Sequence, residues 1–264
     1  MTDTTGVIAD LTAEAAEVDA LVAGLTEAEW DTPTPAPGWS VRHQIGHLAF
    51  IFRIAGLSAA QPEAFEQLTA SLTGGLDVAV EAALQEYIHD PAEVLLTRWR
   101  AERDAGIKAL AAVPGDRLVP WLVNPLPPYV LACAGMMELF GHGQDVADAL
   151  GVRPVRTDRI KHLCGFAVRV RDFGYEARGL EPPAEEFRYE LTGPSGAVWT
   201  FGPADATQRV TGSAEDFCLL VTRRRHHADL DVRAEGALAE AWLDVAQAYR
   251  GPAGEGRQPG QFTR

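Results

Sequence analysis

Cysteine is scarce in this sequence, and basic charge is in short supply. The 264 residues hold three cysteines, Cys133, Cys164 and Cys218, whose spacing suggests no pairing. That argues against a disulfide scaffold and suits a reducing, cytoplasmic compartment. Lysine and arginine number 23 against 37 aspartates and glutamates, for a net charge of −14. Such a surface repels phosphate backbones and anionic lipid, so neither nucleic acid nor membrane is expected as a partner. No apolar run approaches the roughly eighteen residues of a membrane span. The opening MTDTTGVIAD also lacks the basic-then-apolar layout of a signal peptide. No unit recurs at a fixed period. Hydrophobic residues, at 47%, are ample for a packed core.

The pattern that is present changes near residue 180. Before it, apolar residues recur at the helical spacing of three and four. One helix is expected from about Gly6 to Trp30. DTPTPAPG then breaks the chain, because its prolines fix φ and carry no backbone donor. Ser40 is a good N-cap for a second helix with the stripe Val41, Ile45, Leu48 and Phe52. DPAE, from Asp90 to Glu93, offers an N-cap aspartate, a proline at the first helical position and a glutamate at the third. That helix should run to about Val113. Another is expected from about Tyr129 to Leu150, closed by Gly151, and a further one fits Thr157 to Ala177.

Beyond GLEPPAEE the period turns to two. FRYELTGPSGAVWTFG reads as two strands about a turn at Gly193 to Gly196. A helix follows in SAEDFCLLVTRRR, a short strand in HHADLDVRAEG, and a closing helix in ALAEAWLDVAQAYR. The expected fold is mainly α. It has a helical bundle over residues 1–180, a small α+β domain over 181–250, and a flexible tail over 251–264 with little to bury.

Chemistry concentrates in two stretches of the bundle. GWSVRHQIGHLAF sets His43 and His47 four residues apart, and GMMELFGHGQDVADALG sets Glu138 and His142 four apart on one face of another helix. Two residues from one helix and one from a second can meet inside a bundle. Imidazoles with a carboxylate and no thiolate suit zinc or another borderline divalent ion, and three ligands leave a position open for water or substrate. A Glu–His pair at this spacing is also common on solvated helix faces. Gly135, Gly141 and Gly143 flank the pair, each costing roughly 1 kcal/mol against alanine. The backbone there is expected to approach a neighbouring helix or a ligand closely. Met136 and Met137 read as core, and Cys133 as a small buried side chain. Trp39, Trp199 and Trp242 read as core or domain-interface aromatics. His226 and His227 read as loop residues with no carboxylate at ligand spacing.

TPAPGWSVRHQIGHLAF, followed about ninety residues later by ELFGHGQDVADALG, resembles the DinB-like metalloprotein superfamily. More narrowly it is similar to the actinobacterial mycothiol-dependent maleylpyruvate isomerase family. LTGPSGAVWTFG, RVTGSAEDFCLLVTRRR and GALAEAWLDVAQAY follow the order of that family's second domain. The resemblance implies a DinB-like four-helix bundle followed by a sterol-carrier-like α+β domain. It places metal ligands on His47, Glu138 and His142. Asp145 matches a further position of the pattern, either orienting a ligand or binding the thiol cofactor, and a plain exposed-face role fits it equally. His43 stands where many relatives have aspartate, so it lines the pocket, carries protons or adds a fourth ligand, with ligation the least favoured. Relatives use an arginine of the second domain, for which Arg223, Arg224 and Arg225 are candidates. Their position at a helix C-terminus accounts for them equally well.

The implied cofactors are a divalent metal, zinc ahead of nickel, manganese or iron, and mycothiol. A coordinated thiol is deprotonated, and the thiolate either adds reversibly to an activated double bond or is transferred to an electrophile. The expected partner is a small acidic or electrophilic substrate. A metal-dependent hydrolase or lyase without thiol, and a non-catalytic metal- or ligand-binding protein, are the alternatives.

Overall fold

Several helices of the first half start or stop where local chemistry dictates. The computed structural model describes residues 4–70 and 76–262. Helix α1 (Thr4–Val22) ends earlier than the periodicity suggests, and a separate short helix α2 (Glu27–Trp30) restarts the chain. The restart is a capping box, in which the Thr26 hydroxyl accepts from the Glu29 N–H and the Glu29 carboxylate accepts from the Thr26 N–H. Helix α3 (Val41–Ala60) begins after Ser40 as expected. Short helices α4 (Pro62–Ala70) and α5 (Leu76–Leu84) precede α6 (Ala92–Ala111). The cap of α6 is Pro91 rather than Asp90, whose carboxylate instead pairs with Arg98. Helix α7 (Pro128–Leu150) opens with proline in its first turn and closes on Gly151 at φ 65°, the left-handed geometry that favours glycine.

Four of these helices, α1, α3, α6 and α7, make the bundle. The approach of α3 to α6 is limited by backbone, since a Cβ on Gly106 would lie 2.4 Å from the Phe52 carbonyl oxygen. Helix α1 lies over α7, where Gly135 meets Leu11 and Gly143 meets Val18. The glycine cluster of α7 therefore includes two positions that serve helix packing. Between α2, α3 and α6, the buried Arg42 pairs with Glu27 at 2.5 Å and Asp31 at 2.9 Å and donates to the Asp90 carbonyl. Glu27 uses its other oxygen to accept from the Ala92 N–H at the start of α6. No described helix is long and apolar enough to cross a membrane.

The chain divides into two compact units, Met1–Pro154 and Val155–Arg264, so the division falls well before the change of period near residue 180. The stretch expected as one helix over Thr157 to Ala177 is a 3₁₀ turn (Asp158–Ile160), α8 (Lys161–Arg169) and α9 (Phe173–Glu176). It belongs to the second unit because its buried face packs there: the Cys164 and Cys218 sulfurs are 3.6 Å apart, and Gly165 faces Phe201.

The sheet of this unit has the order β2-β1-β3-β4, from β1 (Phe187–Thr192), β2 (Val198–Phe201), β3 (Gln208–Ser213) and β4 (Val232–Glu235). Strands β1 and β3 run parallel and the outer pairs antiparallel, with Tyr189 opposite Phe201 on one side and Val210 on the other. Strand β3 went unrecognised in the sequence. Helices α10 (Ala214–Val221) and α11 (Ala237–Val245) bury Phe217 and Trp242 against Phe187 and Tyr189. The final segment, expected to have little to bury, folds back on this unit. Phe262 lies 3.9 Å from the Arg225 guanidinium, and the Gly260 N–H donates to Asp229.

Candidate metal centre

Histidines at positions 47 and 142 and the carboxylate of Glu138 meet where α3 faces α7. Their candidate ligand atoms all lie within 4.8 Å of one another. Glu138 Oε2 is 3.3 Å from His47 Nε2 and 3.2 Å from His142 Nε2, and the two imidazole rings are 4.4 Å apart. Among the described residues no other histidine, cysteine, aspartate or glutamate group is gathered closely enough to hold a metal. His47 is buried, with its Nδ1 lacking a hydrogen-bond partner, while the Glu138 side chain keeps 21% exposure. Burial works to raise the Glu138 pKa, but the hydrogen bonds and charge of His142 and His47 prevail and hold the carboxyl well below the usual carboxylate range. One anionic oxygen and two imidazole nitrogens, converging on one point, fit a borderline divalent ion.

A second layer surrounds the trio, and two of its members escaped the sequence reading. Gln44, fully buried one turn before His47, accepts from His142 Nδ1 at 2.5 Å. Its amide nitrogen donates to Thr34 Oγ1 at 2.9 Å and faces Asp145 Oδ2 at 3.4 Å. Asp145 is itself fully buried, which removes the exposed-face reading. Trp39 is not a core residue. It is half-buried and stacks on His142 at 5.8 Å, with the His47 ring 5.5 Å away. The loop carrying it is pinned by Thr34, whose N–H and hydroxyl both donate to the Trp39 carbonyl at 2.8 Å. The signals for both residues were faint: Gln44 stands three before His47, hence on the same helix face, and Trp39 immediately precedes the N-cap.

His43 lies outside the trio. Its Nδ1 accepts from the Ser40 N–H at 3.2 Å and lies 2.9 Å from the Ser40 hydroxyl, so that nitrogen is engaged at the helix start. Burial pushes its pKa below the ordinary histidine value. Met136, Met137 and Cys133 are core, and burial drives the Cys133 thiol up to about 11, which makes it a poor nucleophile at neutral pH.

In the second unit, α10 ends with the Arg224 N–H bonded to the Leu219 carbonyl and Arg223 in the left-handed region at φ 58°. Arg223, Arg225 and Arg257 line a cavity with the carboxylates of Asp244 and Glu255, whereas Arg224 donates to the Thr222 carbonyl. His227, expected to lack a carboxylate, pairs with Asp244 at 3.0 Å, a partner brought in from α11. His226 Nδ1 accepts from the Ala228 N–H, as befits a loop residue. Trp199 and Trp242 are buried.

Residues 11–147 match the family model described as the mycothiol maleylpyruvate isomerase N-terminal domain. Residues 183–235 match a model described as wyosine base formation. Two uncharacterized proteins of Mycobacterium tuberculosis, from strains CDC 1551 / Oshkosh and ATCC 25618 / H37Rv, are each 48% identical over 259 residues, spanning 97% of this chain and 100% of theirs. Crystal structures of the mycothiol-dependent maleylpyruvate isomerase and of a histidine-to-alanine mutant of it share the fold, each with a TM-score of 0.57. They cover 88% of this chain and 92% of theirs, at 14% and 13% identity respectively.

Proposed function

The chain belongs to the DinB-like family of the mycothiol maleylpyruvate isomerase N-terminal domain, and from that membership we propose that it is a divalent-metal-dependent enzyme using a low-molecular-weight thiol of the mycothiol type. Its reaction is isomerisation of, or S-transfer to, a small acidic or electrophilic substrate. The observation that carries this reading is the convergence of His47, Glu138 and His142 within the matched span. These three side chains would hold the ion, with zinc the best match to two imidazoles and one carboxylate and nickel, manganese or iron the other candidates. When bound, the ion supplies Lewis acidity that lowers the pKa of a thiol at the open position.

The protein's own part is to position and exclude. Glu138 stays ionised and keeps the trio anionic at its centre. Trp39 stands against both imidazoles and limits the approach of water from that side. His43 lies outside the trio and is engaged through Nδ1 with Ser40, which favours a lining role over ligation. Asp145, facing the Gln44 amide nitrogen, is in a position to act on the trio through Gln44. Arg223 and Arg225 are the candidates for holding an anionic substrate. A non-glycine residue in the left-handed region costs roughly 1–2 kcal/mol, a cost retained at Arg223 where the guanidinium reaches the cavity. Three buried free thiols favour a reducing, cytoplasmic compartment.

The test is metal analysis of the purified protein by mass spectrometry alongside His47→Ala and His142→Ala, with mycothiol titrated calorimetrically into each. About one equivalent of divalent ion, lost in both variants with helical content retained, and thiol binding that needs the ion, is the expected result. Metal without a thiol response would turn the reading to a metal-dependent hydrolase or lyase. Absence of metal would remove the site.

A further inference from the structure

We infer that the C-terminal segment, residues 251–262, forms one wall of the arginine cavity in the second unit, and that its Arg257 is a third cation for binding a small dianion there. Arg223 and Arg225 keep the anion-holding role proposed above, on which this assignment rests. The segment is tied down before and after the residues that reach the cavity. At its start, the Ala248 N–H donates to the Val221 carbonyl at the end of α10, and the buried Gln247 amide donates to the carbonyls of Tyr249 and Gly251. At its end, the Gly260 N–H donates to Asp229 at 2.8 Å, and Phe262 lies over the Arg225 guanidinium. Between these anchors, Glu255, Gly256 and Arg257 line the cavity. Gly256 passes so close to Arg223 that a Cβ would fall 2.6 Å from Nη2, and its φ of 72° favours glycine as well.

The cavity, of about 120 Å³, gathers three guanidiniums in a chain where acids outnumber bases by 37 to 23. Arg223 is unanswered there. Its half-buried side chain makes no hydrogen bond or ion pair, and among the described residues it is the one non-glycine with left-handed backbone. Arg178, whose pKa is lowered by burial and next by the charge of Arg223, donates instead to the Gly174 and Val245 carbonyls at 2.7 and 3.1 Å. The lining carboxylates do not fill the gap: Asp244 pairs with His227 at 3.0 Å, and Glu255 is exposed. Guanidiniums bind carboxylate and phosphate groups in a fixed fork geometry. Like charges gathered in one cavity repel, and an anion among them removes that cost. An anion touching Arg223 and Arg257 together therefore joins the segment to the body of the unit. Its binding and the seating of the segment strengthen each other by the same factor.

The experiment takes the full chain with malonate and inorganic phosphate as probes, against chloride at matched ionic strength. Binding is read by calorimetry, and the segment by the rate at which trypsin cuts after Arg257. Cleavage tracks how often the segment opens, so a probe at ten times its dissociation constant should slow it about tenfold. That arm needs no variant to fold. Arg257→Gln should weaken the calorimetric affinity about tenfold, the low end for a hydrogen bond to a charged group. Arg223→Gln should lose binding and with it the protection of Arg257, although the bond being cut is unchanged. A segment that merely packs predicts cleavage indifferent to either probe and wild-type affinity in Arg257→Gln. That result, with binding still lost in Arg223→Gln, overturns the inference and leaves the reading of Arg223 and Arg225 standing. A wild type that binds neither probe, or binding that survives Arg223→Gln, overturns both.

Discussion

Replacing Gly106 with alanine tests how closely α3 must lie on α6. The added Cβ would sit 2.4 Å from the Phe52 carbonyl oxygen and 3.4 Å from Phe52 Cβ, where ordinary contact begins near 3.4 Å. About 1 Å must therefore open, and the obstacle is backbone, which cannot swing aside as a side-chain tip can. Overpacking costs typically 1–3 kcal/mol, while alanine's better helix propensity returns about 1 kcal/mol. With backbone in the way the upper end of that range applies, and a net loss of about 2 kcal/mol is expected. Gly135→Ala is the control. Its nearest neighbour is the flexible Leu11 Cδ1 at 3.1 Å, so the propensity gain offsets a slight clash and stability should hold or rise. Urea denaturation followed by far-ultraviolet circular dichroism reads both, as a shift of midpoint at unchanged slope. Because α3 carries Gln44 and His47, zinc affinity should drop in Gly106→Ala too. A Gly106→Ala protein as stable as wild type, or a Gly135→Ala protein equally damaged, would refute the reasoning.

Asp19 joins α1 to α6 through Arg100 at 2.8 Å and Arg103 at 3.2 Å, and the hydrogen bond from Arg100 leads in lowering its pKa. A lowered folded-state pKa gives stability that is present above the ordinary carboxylate value and lost as pH falls through the folded one. Asp19→Asn should therefore cost about 1 kcal/mol at pH 7, and in urea titrations the gap to wild type should close as pH drops below about 4. Trp39 stacks on His142, so zinc addition should change tryptophan emission in wild type, and Trp39→Phe should abolish that change. A thiol reagent should find almost no reactive cysteine in the native protein and three after unfolding, since Cys133, Cys164 and Cys218 are all free and buried. Rapid native labelling would contradict their burial.

Much of the bundle was legible because its signals are local. Ser40 and Gly151 mark helix ends by capping chemistry that needs no tertiary partner, and the metal trio was reachable from its spacing and its resemblance. What stayed hidden depends on distant chain. The break after Val22 is set by the capping box at Thr26, which competes with an apolar period that runs straight through it. Strand β3 ends against a helix start at Ser213, so its few alternating residues blend into the helical pattern. Period reports secondary structure and not packing partner, which is why α8 was assigned to the bundle although Cys164 packs on Cys218. A polar residue such as Gln44 on a helix is ordinarily solvated, and only folding reveals the Asp145 that gives it meaning.

The ion-pair hub at Arg42 has a consequence for how this chain can vary. Glu27 divides its two oxygens between Arg42 and the start of α6, and Arg42 divides its guanidinium among Glu27, Asp31 and Asp90. Residues sharing one network do not contribute independently. Loss of Arg42 removes the charge that Glu27 and Asp31 answer, so a second change at either acid should then matter less than it does in the intact protein. Loss of Glu27 strips a cap from α6 as well as a partner from Arg42, so its effect reaches a helix that Arg42 does not cap. Substitutions here should show strong epistasis, and the tolerated path from one sequence to another should depend on the order in which these positions change.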